Sequence, residues 1–180
     1  MQTDAGTGIH AVSLGRDQMR RLCALLLVAA IVSLSWLGTG TASAEPQLPK
    51  IVLSTLNFGT FGDHDYCHGA LNVGAVAPRG KSGVVRVTVT SFGFTGNGPG
   101  WKRNPKCRFL LYMSQISGSA IAGKEFFYPV GFGPRPGEKV VREIRTGPGP
   151  VSMSVATYAL DKPVRVPQTY GGSGFLTVVP

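Results

Sequence analysis

GVVRVTVTSFGF, residues 83–94, is the stretch of the sequence that indicates the fold. Val85, Val87 and Val89 alternate along it with polar residues. Successive side chains of a β-strand point to opposite faces, so a period of two predicts a strand with one buried face and one solvated face. A strand of this kind needs a second layer of structure to cover its apolar side.

Seven further segments of the mature chain are short, rich in β-branched and aromatic residues, and separated by turns that contain Gly and Pro. They are KIVLSTLNF (50–58), HGALNVGAVA (68–77), CRFLLYMSQ (107–115), KEFFYPV (124–130), EKVVREI (138–144), VSMSVATYAL (151–160) and GFLTVV (174–179). No helical period occurs after residue 45. We therefore predict an all-β, single-domain antiparallel β-sandwich of seven or eight strands, immunoglobulin-like or related.

One of these segments, EKVVREI (138–144), has a mixed pattern. In a regular strand Val141 would share one face with Lys139 and Glu143. Arg142 would share the other face with two apolar residues, Val140 and Ile144. Charge on both faces is typical of an edge strand, where it discourages pairing with another chain. We therefore place this segment at a sheet edge.

The N-terminal quarter of the chain has the three parts of a secretory signal peptide. A basic segment at 19–21 (MRR) precedes an apolar run at 22–37, and Ala42 and Ala44 form an A-x-A cleavage site. This order predicts a helical signal peptide that is cleaved after Ala44. An uncleaved membrane helix is the alternative, although a span needs about 20 apolar residues and this run is shorter.

The chain then divides into residues 1–44, an N-terminal extension and signal peptide (19–44 the signal proper), and a mature domain at 45–180. Three of the 18 Lys and Arg residues precede the cleavage site, and so do two of the 9 Asp and Glu residues. The mature domain therefore has a net charge of +8. We expect it to be secreted or associated with the cell envelope, and to touch a membrane only through an uncleaved signal. Such a basic surface attracts anionic polymers and lipid headgroups, or serves solubility alone.

Cleavage would leave two cysteines, Cys67 and Cys107. In an oxidising compartment two cysteines pair with each other, so we predict one disulfide. Cys67 lies in GDHDYCHGAL (62–71), which also holds two histidines and two aspartates. In an extended chain His64 and His68 would be about 13 Å apart, too far to share an ion. We therefore interpret the segment as a polar flank of the disulfide and expect no metal and no cofactor.

TGNGPGWKRNPKCR (95–108) is the candidate binding loop. Its candidate contacts are an indole and four cations, namely Trp101, Lys102, Arg103, Lys106 and Arg108. An exposed indole would stack on a sugar or peptide while the cations hold phosphate or carboxylate. Alternatively, the indole folds back onto the core. Arg135, Lys139, Arg142 and Arg145 would extend the patch if their strands adjoin the loop.

Other chemistry finds little support in the residues. The mature chain contains no G-x-S-x-G or H-E-x-x-H motif, and no pair of carboxylates is singled out by its setting. We therefore predict no catalytic residue, although distant residues could still converge into a hydrolase triad. The aromatic pairs in FGTFG (58–62), SFGF (91–94) and FFYPVGFG (126–133) would either line a groove or belong to the core.

With its leader MRRLCALLLVAAIVSLSWLGTGTASAEP, its Gly- and Pro-punctuated strands and its cysteine pair, the chain resembles the small exported β-sandwich proteins of actinobacteria, including mycobacteria. The resemblance implies a cell-envelope setting. We expect a non-enzymatic binding or structural module whose partner is an anionic envelope polymer, a lipid headgroup or an acidic protein, and not a nucleic acid. The alternatives are a loop-presenting inhibitor or receptor ligand, and a secreted hydrolase.

Overall fold

The computed structural model describes residues 45–118, 123–169 and 171–180. These residues form nine strands in two antiparallel sheets, and they contain no helix. The strands are β1 (Lys50–Val52), β2 (Asn57–Phe61), β3 (His68–Val76), β4 (Val84–Thr95), β5 (Cys107–Ser117), β6 (Lys124–Phe132), β7 (Lys139–Arg145), β8 (Gly149–Tyr158) and β9 (Ser173–Val179). Both the leader and the proposed cleavage site lie outside the described residues.

A five-stranded sheet has the order β1-β9-β8-β5-β6, and a four-stranded sheet has the order β2-β3-β4-β7. The alternation predicted for β4 is confirmed, because its three valines are fully buried and pack in one apolar core with residues of the other sheet such as Phe109 and Met153. The prediction of an all-β, two-layer antiparallel structure with one disulfide is therefore confirmed.

The predicted strand at 50–58 is wrong, because that segment forms two strands in different sheets. β1 pairs with β9, whereas β2 pairs with β3. Between them, the N–H of Leu53 still bonds to Gly174 of the five-stranded sheet, and the carbonyl of Leu56 already accepts from Val73 of the four-stranded sheet. The chain thus crosses from one layer to the other within four residues, which makes nine strands rather than seven or eight.

The strand order differs from the constant-type immunoglobulin order. Here three successive strands, β2 to β4, lie side by side in one sheet. In the immunoglobulin order the chain changes sheets after two strands. The edge position predicted for 138–144 is confirmed, since β7 pairs only with β4 among the described strands.

The loops lie at two ends of the sandwich. Loops 62–67, 96–106 and 133–138 lie where β2, β4 and β6 finish, and this we call the disulfide end. Loops 77–83 and 146–148 lie at the opposite end. Within the described part of the chain, no helix is long and apolar enough to cross a bilayer.

Candidate functional site

The predicted disulfide is present and joins the start of β3 to the start of β5. Cys67 and Cys107 are 40 residues apart, their Cα atoms lie 5.6 Å from each other, and both are fully buried. Gly62 packs directly over the bond, where a Cβ atom would collide with both sulfur atoms. The bond therefore ties the polar segment 62–67 and the candidate loop to the two sheets at once.

Asp65 holds the backbone of the candidate loop. Its carbonyl oxygen accepts the N–H groups of Asn97 and Gly98 at 2.9 and 3.0 Å, and its carboxylate accepts the N–H of Gly100 at 3.0 Å. The carboxylate also fills the space where a Cβ atom on Gly98 or Gly100 would lie. The glycines of TGNGPGW thus allow the two loops to approach closely.

Asp63 and His64 form a second set of contacts with the candidate loop. Asp63 accepts the N–H of Arg108 at 3.0 Å and its guanidinium Nε–H at 2.7 Å. The ring of His64 lies between two acceptors, with Nδ1 2.7 Å from Asp63 and Nε2 3.0 Å from the carbonyl oxygen of Asn104. Only the doubly protonated ring can donate to both oxygens.

These contacts shift two pKa values. The hydrogen bond to Asp63, followed by the one to the Asn104 carbonyl, raises the pKa of His64. Burial alone would raise the pKa of Asp63, but the hydrogen bonds from His64 and from the backbone and side chain of Arg108 together lower it. Both shifts favour the charged forms of the pair, an imidazolium beside a carboxylate.

The same residues hold the donor atoms of a possible metal site. One ligand atom each of Asp63, His64 and Cys67 lies within 4.8 Å of the others. However, the Cys67 sulfur is bonded to Cys107, and Asp63 and His64 already bond to each other and to the loop. His68 begins β3, and its Nδ1 faces the carbonyl of Tyr66 instead. We therefore interpret GDHDYCHGAL as a brace for the loop that follows β4.

The five predicted contact residues occupy different environments. Trp101 is half-buried, packs against the core and lies 6.0 Å from the His64 ring, so it folds back rather than standing free in solvent. Arg108 is half-exposed and bonds to Asp63. Lys102, Arg103 and Lys106 are exposed, and no carboxylate among the described residues pairs with them.

The second set of cations extends this patch only in part. Loop 133–138 lies beside the end of β4, where the N–H of Phe94 bonds to Gly133, so Arg135 and Lys139 lie at the disulfide end. Arg145 lies at the opposite end of β7. Arg142 stacks over the ring of Tyr128 at 4.9 Å.

One cluster was missed from the sequence. Tyr112, Phe127 and Tyr158, from three different strands, meet on the outer face of the five-stranded sheet with ring centroids 5.0 to 5.9 Å apart. Arg165, from the loop after β8, lies over the Phe127 ring at 3.3 Å. The alternation of β5 does place Tyr112 opposite the core face, but only strand pairing brings the three rings together.

No model of a protein family matches this chain, and no curated protein or solved structure matches it either. The resemblance to exported actinobacterial sandwich proteins therefore stays a prediction. Function has to be argued from the geometry of the disulfide end and of the outer sheet face.

Proposed function

We propose that the protein is a secreted, non-enzymatic binding module of the cell envelope, and that the disulfide end contacts an anionic partner. The leader and the buried disulfide support export, because disulfides persist in oxidising compartments. The partner is an anionic envelope glycan, a lipid headgroup or an acidic protein. In finer detail, we infer a sandwich related to the immunoglobulin-like ones.

The observation that carries the proposal is a group of three cations without carboxylate partners, on a loop whose backbone is held in place. Asp63 and Asp65, in the neighbouring loop 62–67, direct their hydrogen-bonding groups to backbone N–H groups, His64 and Arg108. The carboxylate of Glu138 likewise accepts a backbone N–H, that of Gly133. Because the backbone of the loop is already held in place, binding an anion there costs little backbone conformational entropy.

The braced residues also support a binding role rather than a chemical one. A histidine that acts as a general base must have a ring nitrogen that is free to take a proton from a substrate. Both nitrogens of His64 face acceptors within the protein. The histidine and its carboxylate partner therefore act as structural contacts between loops 62–67 and 96–106.

Charge reversal tests the proposal. The variant Lys102→Glu/Arg103→Glu/Lys106→Glu should lose most of its retention on anionic envelope fractions, and the retention that remains should depend less on salt. The matched control is Lys50→Glu/Lys124→Glu/Arg145→Glu, which makes the same change in net charge at the opposite end. Equal losses in both variants would show that net charge alone governs retention, and unchanged retention in the first would overturn the proposal.

One observation favours the alternative of a loop that is presented to a protein partner. Tyr66 is 82% exposed and adopts a φ of +50° within the braced segment 62–67. Rigid aromatic side chains are common anchors of protein interfaces. Under this alternative, Tyr66→Ala would abolish the capture of one protein partner, whereas retention on glycan or lipid fractions would not change.

A further inference from the structure

The outer face of the five-stranded sheet carries a strip of aromatic and basic side chains that begins at the candidate loop. β5 and β6 pair so that Arg108 lies opposite Gly131, Leu110 opposite Pro129, and Tyr112 opposite Phe127. We call Tyr112, Phe127, Tyr158 and Arg165 the aromatic strip. All three of its rings are half-buried, so part of each ring remains open to solvent.

The strip holds a guanidinium in a fixed position. The central carbon of the Arg165 guanidinium lies 3.3 Å from the centroid of the Phe127 ring, which is a cation–π contact. The described structure shows neither a hydrogen bond nor a carboxylate partner for this guanidinium. Stacking uses the face of the group and leaves the N–H donors of its edge for a carboxylate, sulfate or phosphate.

The strip is continuous with the basic loop. The side-chain stems of Lys106 and Arg108 lie over Gly131, where a Cβ atom would be 3.1 to 3.3 Å from their methylene carbons. Gly131 is four residues along β6 from Phe127, a distance of about 13 Å in a strand. Cations therefore stand at both ends of a short aromatic and apolar track, and the one carboxylate bonded to it, Glu125, accepts a hydrogen bond from the Tyr112 hydroxyl.

We propose that this track binds an acidic polysaccharide, one residue of which stacks on the aromatic strip while its anionic group contacts Arg165. The inference rests on the proposed function and names the class of partner. A sugar acid presents an apolar ring face and an anionic group within one repeating unit, which matches a ring with a guanidinium beside it. A lipid headgroup is a single compact anion, and the carboxylates of an acidic peptide lie on flexible side chains without a flat face.

Two soluble polyanions of matched length and charge separate sugar recognition from charge. Polygalacturonate is a polymer of sugar acids, and poly-L-glutamate carries the same carboxylates without sugar rings. Each is titrated against the wild-type mature domain, Phe127→Leu, Arg165→Ala and a single-charge control at the opposite end, Arg145→Ala. Thermal unfolding of each variant checks that the fold is retained.

The wild-type domain should bind polygalacturonate more tightly than poly-L-glutamate. Arg165→Ala should weaken the binding of polygalacturonate about tenfold and Phe127→Leu about threefold, with little change for poly-L-glutamate or for Arg145→Ala. If both polymers bound equally and neither Phe127→Leu nor Arg165→Ala changed their binding, the proposed role of the aromatic strip would be overturned. The proposed function would still stand. The strip proposal would also be overturned if the domain bound anionic lipid vesicles more tightly than polygalacturonate and Arg165→Ala weakened that vesicle binding. Binding to neither polymer and to no vesicle would count against both proposals.

Discussion

The two ends of the sandwich use their acidic residues differently. At the opposite end Glu143 bonds to Lys81 at 2.5 Å and to Arg86 at 2.7 Å, and Arg86 also pairs with Glu45. These carboxylates neutralise Lys81 and Arg86, whereas Lys50, Lys124 and Arg145 at the same end have no carboxylate partner among the described residues. At the disulfide end Asp63 and Asp65 instead bind backbone N–H groups of the neighbouring loop.

Under the proposed function, it is the placement of the acids, and not the number of cations, that leaves a patch of Lys and Arg open to an anion. Where a carboxylate neutralises a cation, an incoming anion must compete with it. Where a carboxylate orders the loop instead, the cations stay available and the loop is preorganised. Four experiments can break or sharpen this comparison.

Removal of the disulfide should have the largest effect. Replacing both Cys67 and Cys107 with Ser should destabilise the domain by about 4 kcal/mol, because a loop of this length loses much of its entropy when it is closed in the unfolded chain. Urea unfolding measures the loss, and hydrogen exchange locates it. Exchange should rise in loop 96–106 and stay unchanged in loop 77–83. An equal rise in hydrogen exchange at both ends would show that the disulfide does not order the disulfide end in particular.

The close packing of Gly62 over the disulfide predicts the next effect. Gly62→Ala should destabilise the domain by about 2 kcal/mol, since the added methyl group would overlap both sulfur atoms. Gly59→Ala is the matched control in the preceding strand, where the nearest atom would lie 3.8 Å from the new Cβ. Similar stabilities for the two variants, measured by thermal unfolding, would contradict the packing described here.

The pH dependence of stability tests the contact between His64 and Asp63. Because the folded pKa of His64 is raised, its contribution to stability is complete below the unfolded pKa of about 6.5 and is lost as the pH rises through the folded value. The wild-type protein should therefore lose stability relative to His64→Gln over that window. Asp63, with its lowered pKa, stays ionised there and loses its contribution only in acid. Parallel stability curves for wild type and variant would count against the contact.

The smallest effect on stability is expected at the opposite end. Glu143→Gln removes the carboxylate that pairs with Lys81 and Arg86, and exposed ion pairs contribute little to folding. The unfolding temperature should hardly change. The change should release Lys81 and leave Arg86 with Glu45 alone, and so increase retention on a polyanion column. Unchanged retention would show that pairing at this end does not limit anion binding.

Several features could be predicted from the sequence because they depend on neighbours along the chain. The alternation of β4 and β8, the edge character of β7 and the candidate loop are local patterns. The split of 50–58 into β1 and β2 was missed, because the whole segment is β-forming and only pairing partners decide the layer of each half. The aromatic strip was missed for the same reason, since its residues come from β5, β6, β8 and a loop.

By itself the sequence determined that this chain forms short strands with one buried face, that they pack in two layers, and that Cys67 and Cys107 would join. Side-chain alternation and the number of cysteines can be read without knowing which strands pair with each other. Only the tertiary structure decided what GDHDYCHGAL does. The bonds from Asp65 to Gly100 and from Asp63 to Arg108 join residues 35 and 45 positions apart. The pairing of strands in the two sheets brings such residues together, and no local rule of the chain relates them.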